Sequence, residues 1–154
     1  MSKPKVKMLS TRKLATLSMG ERAIQRLWSS VSRREWSSLV LVPVSARGSG
    51  KAIAAGMLEI GALFRPRPRV FDGEGAQLPD GPRIAEEMKE YAAGGGTALA
   101  TVDPVVSSLA GIPVVLAADV AVLVVPLGEA DLGSARSTIE IVGRDRILGC
   151  VAVE

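Results

Sequence analysis

Two rhythms of apolar and polar residues alternate along this chain. Short, nearly uninterrupted apolar runs recur at Leu39-Val40-Leu41-Val42-Pro43-Val44, at Val70-Phe71-Asp72, from about Thr97 to Val102, at Val120 to Val125 and at Ile147 to Val153. Between them apolar residues fall three and four apart, the spacing that gives a helix one buried face. The first such segment starts at Ser18 with Glu21 three residues on, a capping box, and sets Ile24, Leu27, Trp28 and Val31 on one face with Arg22, Arg26 and Arg33 off it. Trp28 and Trp36 are expected as packing anchors. A second helix carries Ile53, Met57, Ile60 and Phe64 as its buried stripe and breaks at Arg65-Pro66-Arg67-Pro68-Arg69, because each proline lacks a donor and disfavours helix before it. Gly73-Glu74-Gly75 follows the second strand as its exit loop. Pro82 opens a third helix, with Ile84, Met88 and Tyr91 on one side and Gly94-Gly95-Gly96 at its end.

The segment Val105 to Ala117 fits either a helix or, over Ile112-Pro113-Val114-Val115-Leu116, an extended run. Asp131 is placed to cap a last helix with Leu132, Ala135, Ile139 and Val142 inside and Gly143 at its end. Strands that are apolar throughout and separated by helices predict a single-domain, three-layer α/β fold with a mainly parallel sheet and right-handed crossovers.

Composition narrows the chemistry. The 154 residues are 47% hydrophobic with few aromatics, which suits a parallel sheet covered on both faces. There is no histidine, so neither a Ser-His-Asp triad, a Cys-His pair nor a His-ligated zinc can be built from this chain. The one cysteine, Cys150, has no disulfide partner and sits in an apolar segment where packing is its expected role; a reducing cytoplasm suits it. The longest apolar stretch, Ile112 to Leu127, is too short for a membrane span and has Asp119 in its middle. Residues 1–17 carry Lys3, Lys5, Lys7, Arg12 and Lys13 with no acid, and read either as a solvated tail or as an arm for an anionic membrane surface. The net charge of +3 comes with no aromatic platform or DNA-reading motif, so nucleic acid is not an expected partner.

The candidate chemistry lies at Ser45-Ala46-Arg47-Gly48-Ser49-Gly50-Lys51-Ala52, between the first strand and the second helix. An apolar strand, a glycine-rich turn ending in Gly-Lys and a helix form the phosphate-binding arrangement of P-loop proteins, where backbone amides and a lysine converge on an anion. Ser45 replaces the usual first glycine, and Ala52 replaces the hydroxyl that holds magnesium. Asp72 and Glu74 after the second strand, and Asp103 after the third, are expected at the same carboxyl edge, where a phosphate chain and its metal need carboxylates. Each also fits a plainer role, Asp72-Gly73 as a turn and Asp103-Pro104 as a strand terminator.

On these motifs the chain resembles the bacterial tyrosine kinase family, the cytoplasmic autokinases of capsule and exopolysaccharide assembly within the MinD/ParA-type ATPases. Val44 to Ala52 is similar to that family's Ser-x-x-Pro-Gly-x-Gly-Lys-Ser/Thr loop, with Arg47 in the proline position. Val70-Phe71-Asp72-Gly73-Glu74 resembles its Asp-x-Asp motif, and Ala100-Thr101-Val102-Asp103-Pro104 its Walker B motif, with compressed spacing between the two. Ala118-Asp119 with the strand after it, and Arg146 to Val151, are similar to its later strands.

The resemblance implies a P-loop NTPase-like domain over residues 18–154. It implies Arg47, Gly48, Ser49, Gly50, Lys51 and Ala52 around ATP or ADP, with Asp72 and Asp103 on the magnesium side and Lys51, Asp72 and Asp103 as the catalytic set of an active member. The departures imply a pseudoenzyme. Ala52 offers no hydroxyl, and Tyr91 is the lone tyrosine where the family has a tyrosine-rich tail. Ile24 and Leu27 stand where its oligomerisation arginines would be, which leaves a homo-oligomer an open matter. The function implied is a nucleotide-binding or partner-binding regulator of exopolysaccharide synthesis or export. Its partner would be the cytoplasmic part of a polysaccharide transport or co-polymerase membrane protein, at the inner face of the membrane. The rivals are an active MinD/ParA-type ATPase, whose motif lysine would fall at Ala46, and a nucleotide-free structural adaptor.

Overall fold

A computed structural model describes residues 18–128 and 131–153, with side chains from Arg22 onward. The basic arm of residues 1–17 lies outside the described residues, as do the Ser18 and Glu21 side chains on which the capping box depends. The elements are α1 (Ser18–Val31), β1 (Ser38–Pro43), α2 (Lys51–Phe64), β2 (Pro68–Gly73), α3 (Asp80–Ala93), β3 (Thr97–Val102), α4 (Ile112–Ala117), β4 (Val120–Pro126), α5 (Leu132–Val142), a 3₁₀ turn (Arg144–Arg146) and β5 (Ile147–Val153).

The strands form one sheet in the order β2-β3-β1-β4-β5, and every pairing is parallel. β1 is central: Leu39 lies beside Leu99 of β3 and Val120 of β4. Its six residues are all buried, which explains why it reads as an unbroken apolar run.

Alternation along the strands divides the core between the two faces. Leu39, Leu41, Leu99, Val120, Val122 and Val124 pack under α1 and α2, against Ile24, Leu27, Trp28, Val31, Ile53 and Met57. Val40, Val42, Ala98, Ala100, Ala121 and Leu123 face the other way, against Ile84, Ala85, Met88, Val114, Val115 and Val142 of α3, α4 and α5. The result is a three-layer α/β fold. Trp36 closes the first layer: its indole N–H donates to Val31 O at 2.9 Å, it meets Trp28 edge-on, and Arg65 lies 4.1 Å over its ring. Asp119 ties down the start of β1 at this same amino end of the sheet, accepting from the amides of Ser37 (2.8 Å) and Ser38 (3.2 Å).

The ambiguous segment after β3 resolves as turns followed by the short helix α4, with Pro113 in its first turn, where a missing amide costs nothing. α3 starts at Asp80, ahead of Pro82. Three expected core residues are on the surface. Phe64 shares the face of Ile53 and Met57, but the last turn of α2 has no layer beneath it; Phe64 is 68% exposed and Leu63 71%. Both border a cavity of about 920 Å³ between α1 and α2 that Trp28 and Ile60 also line. Leu132 is 83% exposed because it opens α5 just past the capping Asp131, before the helix settles on the sheet through Thr138 and Val142. Cys150 is exposed because β5 is an edge strand, so its expected packing role is corrected to a surface thiol. No helix among the described residues is long and apolar enough to cross a membrane.

Candidate functional site

β1 leaves the sheet into α2 on one face, whereas its neighbours β3 and β4 lead into α4 and α5 on the other. The chain therefore diverges at the carboxyl end of β1, the place where open α/β sheets leave a crevice for ligands. The loop from Ser45 to Gly50 sits at that divergence.

Its glycines are there because the loop folds back on β1. A Cβ on Gly48 would stand 2.7 Å from Pro43 Cβ, and one on Gly50 would stand 2.9 Å from Leu41 Cβ. Neither glycine is left-handed, and no residue from Ser45 to Lys51 has positive φ. The loop is thus not wound into the alternating right- and left-handed nest that curls successive amides around an anion. Side chains hold its shape instead. Ser45, buried, accepts from Arg47 N through Oγ at 3.4 Å, Ser49 Oγ accepts from Lys51 N at 3.2 Å, and Ser107 Oγ donates to Ala46 O at 3.1 Å.

The carboxylates predicted for this edge are all at it. Lys51 Nζ lies 3.5 Å from Asp72 Oδ2, in a pair whose side chains are each at least half exposed, so solvent leaves it worth little as a stabilising contact. Asp72 Oδ1 accepts from Thr101 Oγ1 and from the amide of Glu74, both at 3.0 Å. Asp103 Oδ2 accepts from the amide of Gly75 at 2.9 Å. Glu74 Oε2 reaches across to the loop, accepting from Ser49 Oγ at 2.8 Å and from the amide of Gly50 at 3.2 Å. Burial pushes the Glu74 carboxyl above its ordinary pKa; the contacts with Ser49, Gly50 and Lys51 oppose that rise, and Asp72 adds to it.

Arg47 and Ala52 are exposed, and Arg47 lines a smaller cavity with Ser45, Ala46 and Asp131. Magnesium is commonly held by one or two carboxylates with the substrate's phosphates supplying the rest. Asp72 and Asp103 suit that use, while Ala52 adds no ligand. No group of three or more metal-binding side chains occurs among the described residues.

Sequence reasoning gathered Lys51, Asp72, Glu74 and Asp103 correctly at one edge but missed how they connect. Thr101, which orients Asp72, is its register partner across the β2–β3 pair, and only the pairing reveals it. Glu74, expected at the edge along with the two aspartates, is the carboxylate that touches the loop amide. The chain matches no family model, and a search of curated proteins finds no significant relative.

Proposed function

We propose that this chain is a degenerate P-loop protein that takes nucleotide phosphates at the Gly48–Ala52 mouth and acts as a regulatory, partner-binding component rather than as a catalyst. The observation that carries this reading is the convergence of the Gly50 amide, Lys51 and the carboxylates of Asp72, Glu74 and Asp103 where β1 and its neighbours part. An amide at a helix N-terminus and a nearby lysine favour an anion, and two strand-end carboxylates suit its magnesium. Ala52 removes the hydroxyl that would place the metal, so little of the charge developing in phosphoryl transfer would be neutralised. The motif resemblance to exopolysaccharide tyrosine autokinases extends the reading to a role in exopolysaccharide synthesis or export, with the cytoplasmic part of a membrane co-polymerase as partner.

Calorimetric titration with Mg-ATP and Mg-ADP, on wild type and Lys51→Ala, tests the reading. Saturable binding is expected in wild type and about tenfold weaker or absent binding in the variant, equivalent to about 1.4 kcal/mol. Phosphate release should not exceed the protein-free blank; turnover would establish the ATPase instead. A second reading, a nucleotide-free adaptor, is favoured by the hold of Glu74 on the loop amide and by the absence of a nest. It prevails if neither protein binds nucleotide.

A further inference from the structure

We propose that Glu74 is a built-in occupant of the phosphate position, a carboxylate that a ligand must displace before the loop can hold it; this rests on the phosphate-binding reading above. Gly50 caps the 14-residue helix α2, and its amide is among those with no partner inside the helix. An anion is the natural ligand there, and the anion present is the Glu74 carboxylate, which takes the Gly50 amide and the Ser49 hydroxyl on one oxygen.

Lys51, the other group a phosphate would use, is turned to Asp72. Both the loop amide and the lysine of the mouth are therefore already answered from β2 and its exit loop. A phosphate oxygen on the Gly50 amide would meet Glu74 at close range, and two anions cannot share one donor without strong repulsion.

The exit loop is built to present that side chain. Asp72 accepts from the Glu74 amide and Asp103 from the Gly75 amide, so the backbone on either side of the Glu74 side chain is tied down. Gly73 allows the loop to pass close to β3, since a Cβ there would lie 2.7 Å from Thr101 O, and Gly75 turns the chain at φ +79°. The side chain's own hydrogen bonds are made by its carboxylate. Swinging out returns a half-buried charge to water, which offsets part of the hydrogen bonding given up.

Titration with inorganic pyrophosphate and with Mg-ADP, on wild type, Glu74→Gln and Glu74→Ala, tests the proposal. Gln keeps an acceptor for the Gly50 amide without the charge, and Ala clears the position. Both variants are expected to bind at least about fivefold more tightly than wild type, the lower range of typical coupling between linked sites. The Gly50 amide resonance should shift as pyrophosphate is added to either variant. Binding to wild type that is equalled or weakened in both variants overturns the occupant role while leaving phosphate binding intact. Tightening without movement of the Gly50 resonance overturns it too. Absence of binding in all three proteins overturns both readings together.

Discussion

Replacing Gly50 by alanine separates the glycine's packing role from any role in ligand binding. Its φ of −100° and ψ of 6° are open to any residue, so backbone strain contributes nothing. The whole cost is the new methyl, 2.9 Å from Leu41 Cβ. Carbon atoms pack best at about 3.5–4.0 Å, so the loop or the strand must give by about 0.6 Å or more. Leu41 is fully buried on the central strand, between β3 and β4, and cannot retreat. Overpacking of this kind costs about 1–3 kcal/mol, and alanine's smaller unfolded-state entropy returns about 0.4–1 kcal/mol. The midpoints of these ranges leave a net loss of about 1.3 kcal/mol, which corresponds to a melting temperature lower by about 3–5 °C for a chain of this size. Thermal denaturation followed by circular dichroism reads it directly. Gly149→Ala serves as the control, because a Cβ there meets nothing within 4 Å. Equal melting temperatures for Gly50→Ala and wild type would refute the seating of the loop on β1.

Arg146→Met should destabilise by about 2–3 kcal/mol, since the guanidinium donates to the carbonyls of Val115, Ala118 and Val142 and joins α4 to α5. Lysine at that position should not restore stability in urea denaturation, because it lacks the planar fork. Asp131→Ala should lower the melting temperature at neutral pH by removing the cap on the Ser134 amide, a 2.7 Å bond. Hydrogen bonds from Ser134 hold the Asp131 carboxyl below the ordinary aspartate value. A depressed folded pKa contributes stability above the unfolded value of about 3.9 and loses it as pH falls through the folded one. The gap between variant and wild type, read from melts across the acid range, should therefore close as the pH drops.

Which residues gather at the candidate site was largely legible in the chain, but little of its wiring was. A glycine-rich turn between an apolar strand and a helix, with aspartates ending the next two strands, brings Lys51, Asp72 and Asp103 to one edge in any parallel sheet. Which of them touch depends on strand order and register. Asp72 meets Thr101 because β2 pairs with β3 in that register, and Glu74 reaches Gly50 because its exit loop turns toward β1.

The sequence by itself determined the elements and the buried faces of most of them, because a fully covered strand must be apolar at every position and a packed helix at every third or fourth. Tertiary structure alone decided depth and partnership. Phe64 and Leu132 have helical spacing suited to a core but lie in turns with no layer beneath them, and Cys150 lies in an apolar strand that the sheet order puts at its edge. Periodicity specifies the direction in which a side chain points; only the assembled layers specify what it meets there.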